Sequence, residues 1–223
     1  MKIHNTALLA LLLTCAASTS ALAADRSVGV ILGEFGPGLN YSSKTPFSFR
    51  DDDQLQLRVQ LSGVSSDEVE DAELNDNKYT GEADFVDHKI TADWYPFAKR
   101  QFFVTAGLGY LKNDIKLKSK SGRAYTVDNV VVANDGSTLS VDVDQSAFAP
   151  YVGIGWGNKL EGHDGLSFFV EMGLMKPLSD SDVRVASNSS SVSQANIEQE
   201  QRDLEDDFND IRLSAALGLS YRF

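Results

Sequence analysis

Short segments in which apolar and polar residues strictly alternate recur along this chain, and they constrain its fold more than any other feature. The last segment is the clearest, because one face of residues 211–223 is wholly apolar: Ile211, Leu213, Ala215, Leu217, Leu219, Tyr221 and Phe223. The other face carries Arg212 and Arg222 among small residues. A repeat of two is the spacing at which side chains of a β-strand return to the same face. Helical periodicity is nearly absent, so the chain is predicted to be all-β.

Seven more strands are predicted. Five are clear, at 55–61, 89–94, 102–110, 148–156 and 166–174. Gly36 to Ser43 adds another, and Ser27 to Gly33 supplies the last through a glycine-containing connection. An even number is needed if both ends of a closed single-chain barrel lie on one side. Pro150 predicts a bulge or the start of a strand, because proline cannot donate to a ladder.

Two opposite architectures share this period. A soluble sandwich or lipocalin-like barrel turns its apolar face inward, whereas a transmembrane barrel turns that face to lipid. The polar faces here are mostly Gly, Ser, Ala and Thr with isolated charges, rather than the Lys and Glu of a soluble surface. Small residues relieve crowding inside a narrow barrel, and isolated charges can pair there. The composition favours an eight-stranded antiparallel transmembrane β-barrel.

The lengths of the connections orient that barrel. Short connections at 44–53, 96–101 and 158–165 alternate with long ones at 63–83, 113–146 and 177–210. Outer-membrane barrels have short periplasmic turns and long extracellular loops. The last strand is therefore predicted to run down to the periplasm.

Aromatic residues cluster near the ends of the strands assigned to the periplasmic side, where an interfacial girdle is expected. The girdle is predicted to contain Trp94, Phe97, Phe102, Trp156, Phe168, Tyr221 and Phe223.

The first 23 residues read as a cleaved secretory signal peptide. Lys2 supplies the positive start, 7–13 the apolar core, and 21–23 the small residues of a cleavage site. Residues 24–223 then form the barrel, without any cysteine. No apolar run of about 18 residues follows residue 24, which excludes a membrane protein built of helices. The chain is predicted to reside in the outer membrane of a Gram-negative bacterium.

The long connections are acidic. Six acids fall within 67–76, and the stretch from Gln194 to Asp210 predicts a short acidic amphipathic helix, with Ile197, Leu204 and Phe208 on one face. These acids could attract cations to the barrel mouth, contact lipopolysaccharide through divalent cations, or simply keep the loops solvated. The net charge of -12 argues against a nucleic-acid partner.

Signals of an enzyme are thin. After the signal peptide only His88 and His163 remain, and His88 has the parity of the lipid face. A membrane-facing lipase would need a serine and a carboxylate beside His88, but no nucleophile motif is present. The chain is predicted not to be an enzyme and to have neither catalytic residues, a cofactor nor a metal site.

Several blocks together resemble the CarO-like small outer-membrane barrels, the carbapenem-associated, ornithine-uptake porins and their homologues. The blocks are Gly36 to Tyr41, Asp93 to Phe97, Thr105 to Tyr110 with Asn113-Asp114, Ala149 to Asn158, Glu198 to Asp207, and Leu217 to Phe223. They extend over most of the chain after the signal peptide. The final Tyr-x-Phe looks like the general signature that the barrel-assembly machinery reads at Phe223. The resemblance implies an eight-stranded outer-membrane barrel that passes small solutes such as basic amino acids.

Two functions remain open from the sequence. In the first, the barrel is a narrow channel for small cationic solutes, lined by Arg58, Lys89, Asp93, Glu171, Arg212 and Arg222. In the second, those charges form a closed ion-pair plug, since side chains can fill an eight-stranded barrel. The chain would then be a structural or surface-interaction barrel that meets lipopolysaccharide, host molecules or phage through its loops. In both hypotheses it is a monomer surrounded by outer-membrane lipid.

Overall fold

The computed structural model describes residues 25–74, 77–119, 124–128, 130–132, 136–161 and 164–223. The predicted signal peptide at 1–23 and His163 lie outside these ranges, as do the side chains of 67–74. Within them the chain forms eleven strands and one helix. The strands are β1 (Arg26–Gly33), β2 (Gly36–Lys44), β3 (Gln54–Leu74), β4 (Asn77–Tyr95), β5 (Phe102–Ser119), β6 (Tyr125–Val127), β7 (Val130–Val132), β8 (Leu139–Gly157), β9 (Gly165–Met175), β10 (Asp182–Ser187) and β11 (Arg212–Arg222), and the helix is α1 (Gln194–Asn209).

Eight strands close into an antiparallel ring in the order β8-β5-β4-β3-β2-β1-β11-β9, and β9 pairs back onto β8. The eight predicted strands are therefore confirmed. The β1–β11 pairing extends to the last residue of the chain, because the backbone N–H groups of Arg26 and Phe223 donate to each other's carbonyl oxygens at 3.1 and 2.9 Å.

The strands are strongly staggered around the ring. Following paired residues once around the ring from Met175 of β9 leads back to Gly165 of the same strand. The offset between the two, ten residues, is the shear of the barrel. Such a shear tilts the strands by about 40° and leaves an eight-stranded interior just wide enough for side chains to fill it.

Pro150 explains an interruption in the wall. It lies inside β8, paired with Leu108, rather than at a bulge or at the start of a strand. Its carbonyl oxygen accepts from the N–H of Lys176, but it has no N–H to return to that neighbour. Beside Pro150 the regular strand β9 ends at Met175, and β10 resumes the pairing with β8 from Asp182.

The apolar rows face outward over the part of the ring next to the short connections, which we call the turn end. On β11, Leu213, Leu217, Leu219 and Tyr221 are half exposed or more, whereas Ser214 and Ser220 are buried. From Ile211 to Tyr221 the outward apolar row runs for about 33 Å along the strand, or roughly 25 Å of height at that tilt. An apolar outer wall of this height around a polar interior is the arrangement of a transmembrane barrel.

Towards the other end, which carries α1 and is called here the helix end, the polarity inverts. The row Val86, Lys112 and Ser146 marks the change on the outer wall. Just beyond it four aspartates lie side by side on neighbouring strands, namely Asp84, Asp114, Asp144 and Asp182. Facing inward at the same end, Ile115, Leu117, Val141 and Val143 are buried.

The prediction that 63–83 and 113–146 are loops was therefore wrong for most of their length. β3, β4, β5 and β8 continue through them well past the end of the apolar outer wall. On β4, β5 and β8 the alternation persists there, but with polar residues outward and small or apolar ones inward, so that it differs from the membrane pattern. The third long connection, 177–210, holds β10 and α1.

Helix α1 closes the helix end. The predicted helix at 194–210 is confirmed, and its Leu204 is 1% exposed. It packs in an apolar cluster with inward residues of β4, β5, β8 and β10 and with the β6–β7 hairpin, while Ile197 and Phe208 flank it. The helix thus lies over the barrel as the lid of a small hydrophobic core. No helix in the described ranges is long and apolar enough to cross a membrane.

Both ends of α1 are tied down. Ser193 and Asn196 form a reciprocal capping box at the N-terminus. At the C-terminus the carbonyl oxygen of Phe208 accepts from the Arg212 guanidinium at 3.0 Å and from Gln145 Nε2 at 3.2 Å. A cation in this position also stabilises the helix dipole.

We expect Leu204→Ala to detach this lid without opening the barrel. Removing a buried leucine side chain costs about 2–5 kcal/mol, and the cost falls on the small apolar cluster. Hydrogen exchange of residues 194–209 should accelerate, while exchange in β9 and β11 stays slow. Asp206→Ala is the matched control on the exposed face of α1. Equal acceleration in both variants would contradict the role of Leu204.

Candidate functional site

The interior of the barrel at mid-height is occupied by a buried ion network. The Nε atom of Arg58 lies 2.8 Å from Asp93 Oδ2, and one of its terminal nitrogens donates to Asp93 Oδ1 at 3.0 Å. The same nitrogen contacts Glu171 Oε2 on the opposite wall. All three side chains are at most 3% exposed. One guanidinium therefore joins β3, β4 and β9 across the lumen.

Aromatic and hydroxyl groups complete this network. The Arg58 guanidinium lies 5.4 Å from the ring centre of Phe103 and 5.2 Å from that of Phe169. Tyr151 donates its hydroxyl to Glu171 Oε1 at 2.9 Å, and Thr105 donates to Asp93 Oδ1 at 2.7 Å. These contacts pack the space around the guanidinium from four strands, namely β4, β5, β8 and β9.

Lys89 forms a second ionic contact nearer the helix end. Its Nζ lies 2.9 Å from Asp87 Oδ2 and donates to Ser214 Oγ at 2.8 Å. The ammonium also lies 4.9 Å from the ring centre of Tyr151. Tyr151 therefore contacts both the Lys89 ammonium and the Arg58 network.

An apolar layer lies next to the ionic layer, on the side of the helix end. Phe35, from the two-residue turn between β1 and β2, folds over the lumen and is 7% exposed. It packs in a cluster with Leu111, Ala149, Tyr151 and Met175. The lumen thus has an ionic layer, an apolar layer and then the core beneath α1.

Of the six residues predicted to line a solute path, four lie in the barrel interior and two lie at its ends. Arg58, Asp93, Glu171 and Lys89 are buried in the interior as just described. Arg212 lies at the helix end and contacts α1. Arg222 lies at the turn end, where its guanidinium donates to the carbonyl oxygens of Lys159 and Glu161.

Sequence reasoning missed the residues that close the lumen. Phe103, Tyr151 and Phe169 lie on the polar parity of their strands, where an aromatic ring is out of place beside Gly and Thr. That parity was the available signal. Phe35 carried no such signal, because its inward fold depends on the β1–β2 turn.

At the turn end, aromatic side chains surround the outer wall. Of the predicted girdle, Phe97, Trp156, Phe168 and Tyr221 are 43–56% exposed, and the remainder are partly buried. Their contacts include Trp156 with Phe168 and Phe97 with Phe102, at 5.3 and 6.4 Å between ring centres.

One girdle residue, Trp94, is held by a carboxylate. Its indole N–H donates to Asp53 Oδ2 at 2.8 Å, and the backbone N–H of Phe49 donates to both carboxylate oxygens at 3.0 Å. Desolvation raises the pKa of Asp53, but the hydrogen bonds from Trp94 and the backbone outweigh it and hold that pKa below its ordinary value.

The histidine, serine and carboxylate that a lipase would need lie on one stretch of the outer wall but are not in contact. His88 faces outward, as do Ser65 and Asp84. In the register, both Ser65 and Asp84 lie four residues along the strands from His88, about 13 Å at the rise of a β-strand. A catalytic hydrogen bond needs about 3 Å. In the described part of the chain no three Asp, Glu, His or Cys side chains are arranged to hold a metal.

Comparison with known proteins shows the same fold in two crystal structures. CarO of Acinetobacter baumannii matches with a TM-score of 0.63 and 19% sequence identity, over 92% of this chain and 100% of that one. CarO2 of the same organism matches with a TM-score of 0.63 and 17% identity, over 91% and 100%. No family model and no curated protein matches the chain. The fold that the sequence resemblance implied is confirmed.

Removing Arg58 should leave two carboxylates in the barrel interior without their cationic partner. We expect Arg58→Met to lower the free energy of unfolding by about 3–5 kcal/mol, measured by urea titration of tryptophan fluorescence in lipid vesicles. Adding Asp93→Asn and Glu171→Gln should recover most of that loss, since no unpaired charge then remains. If the triple variant is no more stable than Arg58→Met alone, the unpaired carboxylates are not the cause of the lost stability.

Acid should release Trp94 from Asp53. Because the folded-state pKa of Asp53 is depressed, its contribution to stability is present above the unfolded pKa of about 3.9 and is lost as pH falls through the folded value. In a Trp156→Phe background, Trp94 emission should change with a midpoint below about 3.9. Asp53→Asn, which does not titrate, should abolish this transition. Its persistence in that variant would assign it to another group.

Proposed function

We propose that this chain is an outer-membrane β-barrel that is closed to solutes and acts at the cell surface through its helix end. The apolar outer wall supports the membrane location, because about 25 Å is the height of the lipid-facing band of outer-membrane barrels. The turn end would then face the periplasm and the helix end the exterior. Export by the signal peptide at 1–23, and assembly through Phe223, belong to the same proposal.

The buried Arg58 network is the observation that carries the closed lumen. A solute crossing the barrel would have to displace a guanidinium that is 2% exposed, paired with two carboxylates and packed by two aromatic rings. It would then meet the Phe35 layer and the core under α1. Separating the ion pairs would leave buried charges unpaired, which is strongly unfavourable.

The helix end supplies the surface for an interaction. The outward aspartate row lies next to the edge of the apolar wall, and α1 exposes Glu198, Asp203, Asp206 and Asp207. Acids at this level suit cationic groups, or divalent cations that bridge lipopolysaccharide phosphates. Lipopolysaccharide, host molecules and phage are the candidate partners of this surface.

Conductance separates this proposal from a channel for basic amino acids. Purified protein should show no conductance steps in planar bilayers and no uptake of basic amino acids into liposomes. Heat-modifiable gel mobility of the same sample verifies that the barrel is folded. Phe35→Ser, which removes only the apolar layer, should also remain silent because the Arg58 layer persists.

The opposite result is equally clear. Cation-selective conductance in the wild type that falls in Glu171→Ala and changes in Arg58→Ala would overturn the closed lumen and favour the channel.

A further inference from the structure

A groove on the outer wall of the barrel forms where neighbouring strands differ in length. The β1–β2 hairpin turns back at residues 33–36, whereas β3 and β4 continue to Leu74 and Asn77. This step leaves a groove of about 620 Å³ above the hairpin. Its walls include Val30, Leu39, Leu61 and Val86.

Gly63 makes the groove hollow at its centre. It occupies an outward position of β3, opposite Val86, and contributes no side chain. A Cβ atom built there would come within 2.7 Å of the Phe85 carbonyl oxygen. The backbone therefore approaches too closely for a larger residue to fill this position without a shift.

The groove spans the edge of the apolar wall. Below Gly63, Leu61 lies in a row with His88 and Tyr110, inside the apolar band. The next row contains Val86 and Lys112, where the outward face becomes polar. If the barrel lies in a membrane, the apolar part of the groove faces hydrocarbon, and dispersion attraction favours filling it with a lipid acyl chain. Its mouth then lies at the headgroups.

Two opposite charges stand at that mouth. Lys112 and Asp84 both line the groove, and neither has an ion pair with another described residue. By contrast, Lys116 on the same strand lies 3.5 Å from Asp114. Asp84 lies one row nearer the helix end than Lys112, a shift of about 7 Å along the strand.

We propose that the groove binds one zwitterionic phospholipid of the phosphoethanolamine class. An acyl chain lies along Leu39, Leu61 and Val86, the phosphate meets the Lys112 ammonium, and the lipid ammonium meets the Asp84 carboxylate. This order matches the lipid, whose phosphate is closer to the hydrocarbon than its ammonium. Asp114 adjoins Asp84 in the aspartate row, which disfavours a purely anionic headgroup. The inference rests on the proposed membrane location but not on the closed lumen.

Native mass spectrometry of the full chain released from nanodiscs tests the proposal. The nanodiscs contain phosphatidylcholine with equal small amounts of phosphatidylethanolamine, phosphatidylglycerol and lipid A. One retained phosphatidylethanolamine per protein is expected, enriched over the other lipids. Lys112→Ala should reduce its retention about fivefold, the effect of losing one exposed charge pair. Asp84→Asn should remove the preference over phosphatidylglycerol.

Matched variants keep the test specific. Lys118→Ala and Asp142→Asn remove exposed charges of the same two types further from the groove and should leave retention unchanged. Leu61→Trp should fill the groove and abolish retention while heat-modifiable mobility persists.

Three outcomes would overturn the proposal: preferential retention of lipid A, retention that depends on divalent cations and is lost in EDTA, or equal retention by Lys112→Ala and the wild type. Failure of the protein to insert into the nanodisc would instead refute the proposed membrane location. Conductance leaves the lipid site unaffected and bears only on the closed lumen.

Discussion

Inside an eight-stranded ring with a shear of ten, side chains from opposite walls meet, and each charge placed there needs a partner among them. Arg58 illustrates the consequence, because its guanidinium spans from Asp93 on the adjacent strand to Glu171 on the far wall. The surrounding rings of Phe103 and Phe169 and the Phe35 layer take up the remaining space. The narrowness of the ring thus turns polar strand faces into a closed interior.

The inversion of polarity at the Val86 row joins two differently organised halves on the same strands. Below it, hydrocarbon would solvate the outer wall and the polar groups turn inward. Above it, water would solvate the outer wall, so the apolar residues turn inward and α1 covers them with Leu204. The short β1–β2 hairpin stops near this level, and the step it leaves in the wall forms the groove beside Lys112. Function, in this view, belongs to the outer surface at this level and beyond.

Much of the fold could be predicted because strand alternation is local. Seven of the eight strands were recognisable from their own residues, whereas the strand at 27–33 followed from the need for an even number of strands. The short turns and the α1 periodicity could also be recognised from local sequence. The continuations of β3, β4, β5 and β8 towards the helix end were missed. On β4, β5 and β8 the outward residues there are polar and the inward ones small or apolar, which resembles loop composition until the neighbouring strands are known. The meaning of Pro150 likewise depended on which strand lay beside it.

For the interior, the sequence by itself determined which residues share the polar face, because parity follows from the two-residue repeat. Only the tertiary structure decided that Arg58 pairs with Asp93 and Glu171, which lie 35 and 113 residues away, and that Arg212 and Arg222 instead bind the two ends. Those partners depend on the closure and stagger of the whole ring. Parity is a property of one strand, whereas contact across a lumen is a property of all eight.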